Sequence, residues 1–252
     1  MTDLIFFGGQ SNMQGQTESL LKKDPVKNAL EYRLLTDELI PLQNPVGEDI
    51  DELLLSSAYG HGSLIPDLTE AYIKKAERSV VCAHVAKGAT ILADWQKNGE
   101  SGKARYQKLV EKCKGAKNKV KDAGKTLFIW LQGESDALAH TSKNDYEKML
   151  KAFKNDLQND LNIDAFMIIE VGYFASNFGG REYDEQIMAA QEELCSDGAS
   201  DGFYMLTDIT KKLSLDQKYI NPIAVGHFNN VAMQIIGSTA GEKAAEIALN
   251  LK

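Results

Sequence analysis

Cysteine is scarce and poorly placed for bonding: the three in 252 residues, Cys82, Cys113 and Cys195, form neither an even set nor a CxxC pair. That excludes a disulfide framework and a cysteine metal clamp. Positive charge is short as well, with 28 Lys and Arg against 36 Asp and Glu and a net charge of −8. Without a basic face the chain suits neither nucleic acid nor an anionic membrane surface. Long apolar runs are missing too, since no segment approaches the roughly 18 residues of a membrane span. The apolar start, Leu4 to Phe7, is short and has no basic leader ahead of it, so a soluble, cytoplasmic protein is expected. Metal spacing is absent around His84 and His140, and no metal is expected. "AGKT" (Ala123 to Thr126) fails as a phosphate loop, because Lys119 stands at the first glycine's place and the segment precedes a strand. No cofactor is expected.

What remains is ordinary globular material, 43% hydrophobic, compatible with one domain over residues 1–252. Leu4 to Phe7, SVVCAHVA (79–86), TLFIWLQ (126–132), AFMIIEVGY (165–173) and FYMLT (203–207) have the composition of buried strands. Helical spacing runs through 104–122, 142–160 and about 230–249. Near-continuous apolar strands separated by amphipathic helices predict an α/β fold, a parallel sheet covered on both faces. Residues 40–65 and 174–182 (FASNFGGRE) lack periodicity, and irregular segments on such a scaffold commonly line a site.

The first strand runs abruptly into "GGQSNMQGQ". In open α/β sheets the carboxyl ends of the strands are where ligands bind. Ser11 at that position is either a helix cap or a nucleophile, and position alone favours the cap. The second strand ends in "AKGATILADW", with Gly88 as the chain leaves the sheet; the third ends in "LQGESDA", with Gln132, Glu134 and Asp136; "NPIAVGHFNN" brings His227. A serine, a histidine, an amide, glycine NH groups and carboxylates at one edge are the parts for acyl transfer.

These four blocks resemble those of the SGNH hydrolase superfamily, in the branch of carbohydrate esterase family 6, the acetylxylan esterases, and the sialate O-acetylesterase-like proteins. "GGQSNM" resembles the nucleophile turn. "AKGATILADW" is similar to a block with an alanine, two glycines and a threonine ahead of a tryptophan. "WLQGESDA" and "GHFNNVAMQIIG" are similar to the third and the histidine-bearing blocks, and together they span residues 7 to 237. The resemblance implies a three-layer α/β/α sandwich with a flavodoxin-like parallel sheet. It implies a serine esterase that removes acetyl groups from a carbohydrate or other small acetyl ester. Ser11 would be the nucleophile, His227 its base, and the Ser11 NH, the Gly88 NH and the Gln132 amide the oxyanion donors. Gln10, Asn12 and His61 are expected to meet substrate. Where the family usually has an aspartate three residues before the histidine, this chain has Ala224. Glu134 is the expected replacement, with Asp136, Asp208, Asp216 or a backbone carbonyl as alternatives. A broad short-chain esterase, or a carbohydrate-binding relative that has lost activity, are the other readings. The oligomeric state is not legible in these residues.

Overall fold

The computed structural model describes residues 1–20, 24–54, 62–196 and 201–251. Its centre is β1 (Thr2–Gly9), whose residues Leu4 to Phe7 are fully buried between β4 (Ser79–Ala86) and β5 (Ala123–Leu131). Both pairings are parallel, and the register matches Gly9 with Ala86 on one side and with Leu131 on the other. Three strands therefore end level, and Gln10, Lys87 and Gln132 leave the sheet side by side.

Outward from β5 follow β6 (Ala165–Ile169) and β7 (Phe203–Thr207), also parallel. These five strands keep the neighbour order of a flavodoxin-type sheet. The expectation of a wholly parallel sheet needs correction, however. Beyond β4 lie β2 (Ala29–Arg33) and β3 (Glu38–Pro41), which complete a seven-stranded sheet of order β3-β2-β4-β1-β5-β6-β7, and the β2–β3 pair is antiparallel. These strands of five and four residues lack the continuous apolar runs of the inner strands, so the sequence does not announce them.

Helices flank the sheet in two groups. α2 (Ile65–Ala76) packs on α8 (Asn230–Asn250), while α5 (Lys143–Leu161) packs against both α3 (Lys103–Asn118) and α6 (Arg181–Ser196). Beneath α5 an aromatic cluster of Phe128, Trp130, Phe153, Phe166 and Trp95 fills the core, with Trp95 edge-on to Trp130 at 5.4 Å. Among the described residues no helix is long and apolar enough to cross a membrane.

Candidate active site

Two single-turn or near-single-turn helices open at the level strand ends: α1 (Ser11–Gln14) after β1 and α4 (Glu134–Leu138) after β5. In α1 the cap position belongs to Gln10, and no side chain caps the helix, so Ser11 is not spent on capping. It is the first residue of the turn, where backbone NH groups have no partner within the helix. The Gln10 side chain instead reaches across to the neighbouring strand end. Its Oε1 accepts from Gly133 N at 3.3 Å and Ser135 N at 3.1 Å, tying α1 to α4.

The loop after β4 is held just as firmly. Trp95 Nε1 donates to Thr90 Oγ1 at 3.0 Å, and Thr90 Oγ1 donates to the Lys87 carbonyl at 2.8 Å. That brace presents Gly88 to the nucleophile turn: a Cβ on Gly88 would lie 3.4 Å from Ser11 Cβ. The Gly88 NH donates to Gln14 Oε1 at 2.7 Å in this state. Ala89, next along, has φ +58, a left-handed conformation costing a residue with a Cβ about 1–2 kcal/mol.

His227 arrives on a tight turn before α8. Asn221 N donates to the His227 carbonyl at 2.7 Å, and His227 N donates to the Ala224 carbonyl at 3.1 Å. Its ring is edge-on to Phe174, centroids 5.4 Å apart at 89°, and its Nδ1 lies 3.1 Å from the Val225 carbonyl oxygen. Burial lowers the imidazole pKa and so favours the neutral, proton-accepting form, against the opposing pull of the Val225 and Ala224 backbone.

Ser11, Gln10, Gly88 and His227 line one cavity of about 320 Å³, together with Gln14, Phe174 and Leu138. A larger cavity of about 720 Å³ lies at the amino-terminal ends of the strands, where Val26, Leu30, Val80 and Lys119 line it and no serine–histidine pair does.

The other expected residues lie below or outside the cavity. Glu134 is buried, and its Oε1 accepts from Asn12 Nδ2 at 2.8 Å while Asn12 Oδ1 accepts from Phe228 N at 3.2 Å. The carboxylate thus reaches the histidine turn through Asn12 and the backbone beside His227, whereas the ring itself faces the Val225 carbonyl. Asn12 is itself buried beneath the cavity. Burial raises the Glu134 pKa, and the Asn12 hydrogen bond lowers it in part.

Gln132 is fully buried, and its Nε2 is committed to Asp136 Oδ2 at 2.5 Å and the Thr90 carbonyl at 3.0 Å. With its amide spent there, it braces the loop that carries Gly88. Asp136 accepts from Leu92 N at 2.8 Å as well as from Gln132, so it ties that loop to α4. Asp208 is exposed, and Asp216 caps Lys218 N at 3.1 Å. His61 lies outside the described residues. Sequence reasoning did not single out Phe174, Gln14 or Leu138; Phe174 opens an irregular segment, the one signal that pointed toward it. Among the described residues no group of three or more His, Cys, Asp and Glu is placed to hold a metal.

The model of a family described as "Carbohydrate esterase, sialic acid-specific acetylesterase" matches residues 1–238. The chain belongs to this carbohydrate esterase family. Solved structures of similar fold include a protein from Arabidopsis thaliana, with 17% identity, a TM-score of 0.71 and 99% of each chain covered. NanS is similar at 15% identity and a TM-score of 0.67, covering 98% of this chain and 96% of that one. A carbohydrate acetylesterase from Xanthomonas citri has 13% identity and a TM-score of 0.65, covering 98% of this chain and 57% of that one. At these identities the likeness is one of fold. A search of curated protein sequences finds no significant match.

Proposed function

We propose that this member of the family is a serine esterase that removes O-acetyl groups from carbohydrates by way of an acetyl-enzyme on Ser11. The observation that carries the reading is the single cavity lined by Ser11, Gly88 and His227, whose pKa burial lowers. Ser11 Oγ attacks the acetyl carbonyl carbon while its proton passes to the imidazole. The NH groups of Ser11 and Gly88 receive the developing oxyanion, the Gln14 side chain giving up its bond to Gly88 as substrate enters. One such donor is worth about 100- to 1000-fold in rate. The carbon–oxygen bond to the sugar breaks, and the departing oxygen takes the proton from His227. Water then attacks the acetyl group, His227 takes a proton from it, and acetate leaves as Ser11 regains its hydrogen.

In this reading Glu134 and Asn12 position the histidine turn, and Gln132 supports the Gly88 loop. The X. citri neighbour is a carbohydrate acetylesterase, which accords with a sugar acetate as substrate. A second reading rests on Ala224: with a carbonyl, not a carboxylate, beside Nδ1, the imidazolium of the transition state is less stabilised and the chain turns over slowly or only binds sugar. Hydrolysis of a chromogenic acetyl ester and of acetylated xylo-oligosaccharides, set beside Ser11→Ala, tests both. Turnover lost in the variant supports the esterase; sugar binding without turnover in the natural chain supports the binder.

A further inference from the structure

Of the segment 174–182, Phe174 lines the cavity and Phe178 lies against Phe174. Phe174 and Phe178 have ring centroids 6.1 Å apart, and Phe174 stands edge-on to His227 at 5.4 Å. Three rings therefore run in a row from the base outward. Phe178 is 63% exposed, and Leu138, which lines the cavity, is 43% exposed. An aromatic ring this open to water is free to meet a ligand.

The ring is also held on a rigid support. Residues Ala175–Phe178 form a 3₁₀ turn, and the buried Asp184 accepts from Ala175 N at 2.8 Å and Ser176 N at 2.7 Å. Asn177 Nδ2 donates to the Phe174 carbonyl at 2.8 Å. A turn clamped by a buried carboxylate presents Phe178 with little ordering left to do on binding. Phe174 is fixed from below: Gly226, at φ +76, lies so close that a Cβ there would sit 2.6 Å from the Phe174 ring.

Chemistry decides which part of a substrate meets these rings. The base that takes the serine proton hands it to the leaving oxygen, so the His227 side of the cavity is the alcohol side. Among the described residues no charged side chain lines the cavity. We propose that Phe174 and Phe178 form a subsite for an uncharged ring carried by the leaving alcohol, as the pyranose next to the acetylated sugar would be. This rests on the esterase reading only for the direction of the substrate.

The test uses acetates of two alcohols of similar acidity, ethanol and cyclohexylmethanol, so that the ring is the variable. The natural protein is expected to favour cyclohexylmethyl acetate in kcat/KM, and Phe178→Ala to lower that preference by about 3- to 10-fold, mostly through KM. Equal losses on both acetates, or a preference that shifts with acyl length between ethyl acetate and ethyl butyrate, overturn the assignment. Binding of cyclohexylmethanol itself, followed by NMR in both proteins, separates the two readings. If neither these acetates nor acetylated xylo-oligosaccharides are hydrolysed but the alcohol binds more weakly to Phe178→Ala, the esterase reading falls and the ring subsite stands. Binding that Phe178→Ala does not weaken overturns the subsite. The unfolding temperature of Phe178→Ala is compared with that of the natural chain to show that the fold is intact.

Discussion

Asn12 Nδ2 donates to Glu134 Oε1 at 2.8 Å, a buried hydrogen bond between residues 122 apart in the chain. The other end of the same amide accepts from Phe228 N. One side chain beside Ser11 thereby fixes both the turn after β5 and the backbone next to His227. Displacing a reacting group by about 1 Å can cost on the order of 100-fold. Asn12→Ala is expected to lower kcat by about 10- to 100-fold with a smaller change in KM. Glu134→Gln, which keeps an oxygen for the Asn12 amide, should retain far more activity than Glu134→Ala. Steady-state kinetics on one acetyl ester checks the order; equal losses in the two Glu134 variants would show that charge, not position, matters.

Ala89 holds a left-handed φ of +58 at a place where the family block it resembles has its second glycine. Ala89→Gly relieves that strain, partly offset by the greater freedom of glycine in the unfolded chain. A net gain of about 0.5–1 kcal/mol is expected, or a rise of roughly 1–4 °C in unfolding temperature. Thermal unfolding followed by circular dichroism measures it, and a fall in stability contradicts the strain.

The acid limb of the pH–rate profile should report His227. Burial lowers its pKa from 6.5, so the imidazole stays a proton acceptor below that pH and activity falls only as the pH drops through the depressed value. A kcat/KM profile whose acid midpoint lies at or above 6.5 contradicts the assignment.

His84, buried in β4 with Nε2 3.3 Å from the Met13 carbonyl, is pushed down to about 3 by desolvation. As pH falls below 6.5 the unfolded chain takes up this proton first, so His84 contributes a loss of stability between about 6.5 and about 3. Its ring resonances should not titrate between pH 8 and about 4 while the protein is folded; a midpoint near 6.5 would show an accessible ring.

The inner sheet was legible because its strands are apolar on both faces. SVVCAHVA marks β4 over its full length, and FYMLT marks β7. Level strand ends explain why the motifs around Ser11 and Gly88 meet, and the turn before α8 adds His227 to the same cavity. The β2–β3 hairpin escaped because strands of five and four residues carry little pattern. The partners of Glu134 and Gln132 were not readable either: which donor a buried carboxylate or amide meets depends on neighbours such as Asn12 and Thr90, brought close only by folding. Phe178 shows the same limit, since its exposure comes from a turn that Asp184 holds from a helix the sequence pattern had not marked.

The central claim, that Ser11 carries the acetyl group, is tested most directly by quenching the natural protein with acid during turnover of an acetyl ester and mapping its peptides by mass spectrometry. The account predicts one added acetyl group on the peptide holding Ser11, absent from Ser11→Ala, and an accompanying loss of hydrolysis in that variant. Hydrolysis that persists undiminished in Ser11→Ala, or an acetyl group found on another residue during turnover, would contradict it.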